Sequence, residues 1–132
     1  MSKFRKYLLV GILLIGFGLL GNGLYIQLKG YVAQYMIENA WYKTQKNNKP
    51  YKPWPWADTR TIAKMSIPKI DKEYYILEGD SAQSLAFGPG HSSVSMLPGQ
   101  NGTILISAHR DTHFLFLKDI KIDDEIILYD TD

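Results

Sequence analysis

The residues best suited to chemistry stand together in Ser107-Ala108-His109-Arg110-Asp111-Thr112-His113-Phe114. They follow an apolar run, so the pattern predicts a buried strand, Thr103 to Ala108, that hands His109 to a loop, a place where functional side chains are commonly held. An imidazole there can take up and release a proton near neutral pH, and Arg110 or Asp111 can tune it. On residue type alone, a histidine in a polar loop is more often a solvated surface residue than a catalyst. His109 and His113 have the i, i+4 spacing of a helical metal site, with Asp111 as a third donor. The segment continues an extended strand, however, and the glutamate of H-E-x-x-H is missing, so no metal is expected. The glycine clusters read as turns rather than phosphate cradles, and no cofactor is expected. The sequence contains no cysteine, which excludes a disulfide, a thiolate metal site and a thiol nucleophile within these residues.

Short strands must position this segment. Thr61, Ala63, Met65 and Ile67 alternate with Ile62, Lys64 and Ser66 before Pro68 stops the run, as a half-buried strand should. Glu73 to Leu77 reads as a second strand, ended by Glu78-Gly79-Asp80. Ser81 to Ala86 suits a single helical turn, and Phe87-Gly88-Pro89-Gly90 forces a sharp change of direction, with His91 directly after it. Leu97-Pro98-Gly99-Gln100-Asn101-Gly102 is another turn. Thr103 to Ala108 is the most apolar strand and is expected at the centre of its sheet. Glu125 to Tyr129 is the last.

Ahead of this β region lies a different chain. From Tyr7 to Leu28 there is no charged side chain, enough apolar length to cross a bilayer, so residues 7–28 are expected to contact membrane lipid. The basic Lys3, Arg5 and Lys6 also suit a cleaved signal peptide, but the apolar run is long for one and no small-x-small cleavage site follows. An uncleaved anchor is the better reading. Its charge bias places the N-terminus in the cytoplasm and everything after Lys29 outside. Leu24 to Lys46 continues as a helix, either a spacer carrying Tyr25, Tyr31 and Tyr35 at headgroup depth or an element packed on the globular domain. The proline-rich Asn47 to Asp58 reads as a semi-rigid connector. The expected domains are therefore a signal anchor, 1–29, a juxtamembrane helix and linker, 30–58, and a β domain, 59–132. A net charge of +2 with dispersed Lys and Arg sets nucleic acid aside as a partner.

The string running from Trp54-Pro55-Trp56-Ala57-Asp58 through Ser84-Leu85-Ala86-Phe87-Gly88-Pro89-Gly90-His91 and Leu97-Pro98-Gly99 to His109-Arg110-Asp111-Thr112-His113-Phe114 resembles the sortases of Gram-negative bacteria. The resemblance covers the chain from the linker to its last residue, and the membrane segment lies outside it. It implies a mainly β protein: a transmembrane helix followed by the first half of a closed eight-stranded barrel. It also implies a cysteine transpeptidase of the bacterial inner membrane that cuts a C-terminal sorting signal from secreted proteins and passes the acyl group to an amine or water. In that scheme a thiolate attacks, His109 is the general acid/base, and an arginine steadies the oxyanion. Only His109 carries over as catalytic. Arg110 is its neighbour in the motif and not the oxyanion arginine; it and Asp111 are supporting residues, and His91 either lines the groove or caps a turn. Ala108 stands where that family usually has glycine, which is costly only at a positive φ.

Residues 59–132 alone are near the lower limit for a self-sufficient core, with open strand edges. A truncated enzyme, inactive by itself, is therefore expected. The alternative is a non-catalytic, membrane-tethered half-domain that binds a partner through those edges.

Overall fold

The computed structural model describes residues 3–131; Met1, Ser2 and Asp132, which fall in the expected first and last domains, lie outside the described residues. The chain divides into two compact units, Met1–Val32 and Ala33–Asp132. In the first unit, the described residues belong to a single α-helix, α1 (Lys3–Asn47), long and apolar enough to cross a membrane. From Phe4 to Val32 its large apolar side chains are exposed.

The second unit holds the last turns of α1 and all five strands. Ala33, Ile37, Ala40, Trp41 and Thr44 are buried there, a stripe at i, i+4, i+7, i+8 and i+11 that keeps one helix face on the sheet. Of the two sequence readings of this segment, packing on the domain is what residues 33–47 do. The Trp41 and Tyr75 rings lie 6.4 Å apart, and Thr61 Oγ1 donates to the Ile37 carbonyl at 3.4 Å. Gln45 Nε2 donates to the Asp130 carbonyl at 2.9 Å, and Gln34 Nε2 to that of Phe87. The proline-rich segment lies in the same unit, with Trp54 edge-on to Phe87 at 5.2 Å.

Strand β1 (Thr61–Ile67) pairs antiparallel with β2 (Lys72–Glu78) across a 3-10 turn that begins at Pro68. Asp71 completes that turn in the left-handed region at φ 50°, its amide donating to the Pro68 carbonyl at 3.2 Å. Directly opposed residues share a face, so Ala63, Met65, Ile76 and Tyr74 form one side of the ribbon, where Phe116 closes the core. Lys64 and Tyr75 form the other, toward Trp41. The register shifts between Thr61 and Ala63, and this irregularity is how Thr61 reaches the helix, since strict alternation would put it with Ala63.

After α2 (Ala82–Leu85), capped by Ser81 Oγ accepting from Ser84 N, the chain returns as β3 (Gly90–His91), parallel to β2. Gly90 is required there: a Cβ would overlap the Gly79 carbonyl oxygen, with Asp80 Cα at 3.1 Å. Both obstacles are backbone, so Gly90→Ala is expected to destabilise the unit by about 1–3 kcal/mol, the usual cost of overpacking, as read by denaturant midpoint at constant m. A cost below measurement error would mean that the β2–β3 pairing yields freely.

Strands β4 (Ile106–Ser107) and β5 (Ile127–Tyr129) complete one mixed sheet of order β4-β3-β2-β1-β5. Two expectations change here. The run Thr103 to Ala108 forms a strand only at 106–107, and at an edge rather than the centre, because the Thr103 and Leu105 backbone is bonded to the preceding loop. Among the described residues the sheet is open, as half a barrel with open strand edges would be. The chain is also less β than expected, as α1 alone, at 45 residues, outnumbers the residues of all five strands.

Candidate functional site

His109 follows β4 by one residue, at the head of a turn. Its carbonyl accepts from Thr112 N at 3.3 Å and Phe114 N at 3.1 Å, which folds the chain back and sends it into the 3-10 helix Leu115–Asp119. The backbone at His109 is thus held while its side chain is exposed. Phe114 and Phe116 anchor the far side of the turn in the core, their rings 5.9 Å apart, and Phe116 stacks on Tyr74 at 5.5 Å.

His113 is the neighbour that sequence reasoning undervalued, having weighed it only as a metal donor. It is half-buried, edge-on to Tyr74 at 6.3 Å. Burial, and then the charge of nearby His109, lower its pKa from the ordinary histidine value. The signal for this was the five-residue turn, which brings i and i+4 into electrostatic reach without a helix.

The depressed pKa predicts a pH effect. Between the lowered folded value and the unfolded value of 6.5, the unfolded chain binds more protons. Stability is therefore complete above that value and falls as pH drops through it. Denaturant titrations at pH 7.5 and 5.5 should show a smaller loss on acidification for His113→Phe, which keeps the edge contact with Tyr74, than for the parent chain. Equal losses would remove His113 as the cause.

Arg110 and Asp111 project away from the protein. Arg110 Nε lies 3.5 Å from Asp111 Oδ1, with the side chains 93% and 88% exposed, so the pair is strongly screened. His91 is placed elsewhere. It lies within β3, not in the preceding turn, is buried, and directs Nε2 at Met96 O (2.9 Å) and Ser95 Oγ (3.1 Å). Of the four residues singled out, only Arg110 and Asp111 accompany His109. Among the described residues, no three His, Cys, Asp or Glu gather as a metal set. Open grooves of about 530, 410 and 240 Å³ lie along the α1 end and the loops, and His109 lines none of these.

A family model described as "Sortase domain" matches residues 65–132. The chain is similar to Sortase D of Bacillus subtilis (strain 168), 41% identical over 64 residues, which make up 48% of this chain and 32% of that protein. It thus spans about a third of the length of this curated relative. Among solved structures, it is similar to sortase A from Corynebacterium diphtheriae, 33% identical with a TM-score of 0.51, covering 58% of this chain and 38% of that one. A Sortase D5 transpeptidase of Clostridium perfringens shares the fold with a TM-score of 0.58 at 22% identity, covering 76% of this chain and 67% of that one.

Proposed function

The chain belongs to the sortase family, and from that premise we propose that it carries the membrane anchor and the acid/base histidine of a cysteine transpeptidase or hydrolase acting on secreted proteins with a C-terminal sorting signal. The observation that carries this is His109, exposed at the end of β4 with its backbone pinned by the 109–114 turn, inside the matched region. In the proposed reaction a thiolate attacks the scissile carbonyl, the His109 imidazolium protonates the leaving amine, and the neutral ring then takes a proton from the incoming amine or water. An arginine donating to the oxyanion lowers the barrier on either side of the thioester. The sequence holds no cysteine, so in this reading the thiol comes from outside these 132 residues, by continuation of the chain or from a second polypeptide, and the oxyanion arginine is proposed to come with it.

The anchor is proposed on length and charge. Residues 7–28 of α1 rise about 33 Å, close to the hydrocarbon thickness of a bilayer. Lys3, Arg5 and Lys6 precede them and only Lys29 follows closely, which favours a cytoplasmic N-terminus and an extracytoplasmic sheet. The enzyme would then meet its substrates at the outer surface of the inner membrane.

The test is complementation. The full chain is joined to, or mixed with, a segment supplying a sortase cysteine and arginine, and cleavage of a sorting-signal peptide is followed. No thiol-dependent cleavage is expected from the chain alone, and turnover is expected once the segment folds onto it. A folded complex that never cleaves would sink the reading. A non-catalytic binding half-domain is favoured by one observation: among the described residues, β4 and β5 are each paired on one side only. A partner captured on those edges, with no turnover after complementation, would establish it instead.

A further inference from the structure

We propose that His91 is a positioning residue for His109, holding in place the strand end that presents it. The inference rests on the role given to His109 above, but its test reads where His109 sits rather than what it catalyses. His91 is only 3% exposed. Its Nε2 faces the Met96 carbonyl, which can only accept, so Nε2 carries a proton and donates to Met96 O at 2.9 Å and Ser95 Oγ at 3.1 Å. Ser95 Oγ donates to the Ser92 carbonyl at 2.8 Å and accepts from the Leu105 amide at 3.0 Å. Its one proton and two lone pairs are all engaged, which leaves the cluster a single self-consistent arrangement. Ser92 N and Met96 N close the same neck by donating to the carbonyls of Leu105 at 2.9 Å and Thr103 at 3.0 Å.

The cluster decides what β4 can do. Residues 92–105 leave the sheet after β3 and return as β4, which is two residues long and pairs only as Gly90↔Ser107 and His91↔Ile106. So short a ladder specifies register weakly by itself. A slip of one residue would turn Ile106 and Ser107 to opposite faces and carry His109 about 3.3 Å along the strand. A general acid works within hydrogen-bond reach, about 2.6–3.2 Å, so such a slip takes the imidazole away from the leaving group. By tying Ser95 and Met96 to β3 and, through Ser95 Oγ, Leu105 to the same point, His91 fixes the residue from which β4 starts.

The experiment uses the full chain, isotopically labelled, in detergent micelles. His91→Leu keeps bulk but has no donor. It is expected to lower hydrogen-exchange protection at Ser95, Met96 and Leu105 by about tenfold, the effect of losing a buried hydrogen bond. It should also shift the ring resonances of His109 while the β1 and β2 amides keep their protection. His91→Gln, whose amide nitrogen can donate from nearly the place of Nε2, should restore both. The proposal is overturned if the His109 ring signals do not move in His91→Leu, if protection falls equally across β1 and β2, or if His91→Gln fails to restore them. Should His91→Leu not fold, Ser95→Ala removes a single oxygen at a half-buried site and carries the same expectations. Ring resonances are read without cleavage, so loss of the catalytic reading in the complementation assay would leave this result standing.

Discussion

His109→Ala is expected to lower kcat for sorting-signal cleavage in the complemented enzyme by about 10²–10⁴-fold, the usual contribution of a positioned general acid or base. An amine expelled as its anion is a very poor leaving group, so acylation of the thiol stalls unless a proton reaches the nitrogen as the bond breaks. An imidazole can serve as both acid and base near neutral pH, and of the two in this segment His109 is the exposed one at the strand end. Its absence should therefore also remove a histidine-dependent limb from the pH profile of kcat/KM. Arg110→Ala is the matched control. Arg110 pairs with the solvent-exposed Asp111 at 3.5 Å, and its loss should change kcat by no more than a few-fold, because exposed pairs contribute little. A drop of less than tenfold for His109→Ala, or an unaltered pH profile, would move the acid/base role to another residue; His113, four positions on and half-buried beside Tyr74, would be the next to examine.

What the sequence made legible was local. The alternation from Thr61 to Ile67, the stop at Pro68 and the capped turn after Ser81 are dictated by residues within one or two turns of each other, and the strand β1, the Pro68 turn and helix α2 lie where those signals put them. The dense motif at His109 was legible for the same reason, since a polar cluster behind an apolar run marks a strand end whatever the strand pairs with. What escaped depended on partners distant in sequence. Thr103 to Leu105 are apolar enough for a strand, yet their backbone is engaged by Ser95 and Met96, a side-chain competition that periodicity does not reveal. The turn expected over Phe87 to Gly90 ends one residue sooner, where β2 recruits Gly90 as a parallel neighbour and His91 becomes part of a strand. The helix face at 33–44 was hidden by composition: Ala33, Ala40 and Thr44 are too small and mild to stand out after a long apolar segment, although their spacing is that of an amphipathic stripe.

Replacing Trp41 with alanine should show how much the domain depends on that stripe, with an expected loss of about 3–5 kcal/mol of unfolding free energy, the range for deleting a buried aromatic side chain. Trp41 is 3% exposed and packs against Tyr75, next to Ile37, which is 1% exposed and whose carbonyl accepts from Thr61. Removing the indole leaves a cavity between helix and sheet that small neighbours such as Ala40 cannot fill, and the dispersion contacts lining it are lost outright. A domain of this size has about 5–15 kcal/mol in total, so the variant should be largely unfolded at moderate denaturant, as reported by fluorescence of the remaining Trp54 and Trp56. Tyr42→Ala, one position along and 52% exposed, should cost far less, with little of its side chain leaving a buried environment. Were the two variants equally mild, residues 33–47 would be the spacer that composition alone allows, and the sheet would hold its core without them. The opposite outcome would show that the last turns of α1, by closing one face of the sheet, support the segment that carries His109 from more than sixty positions earlier.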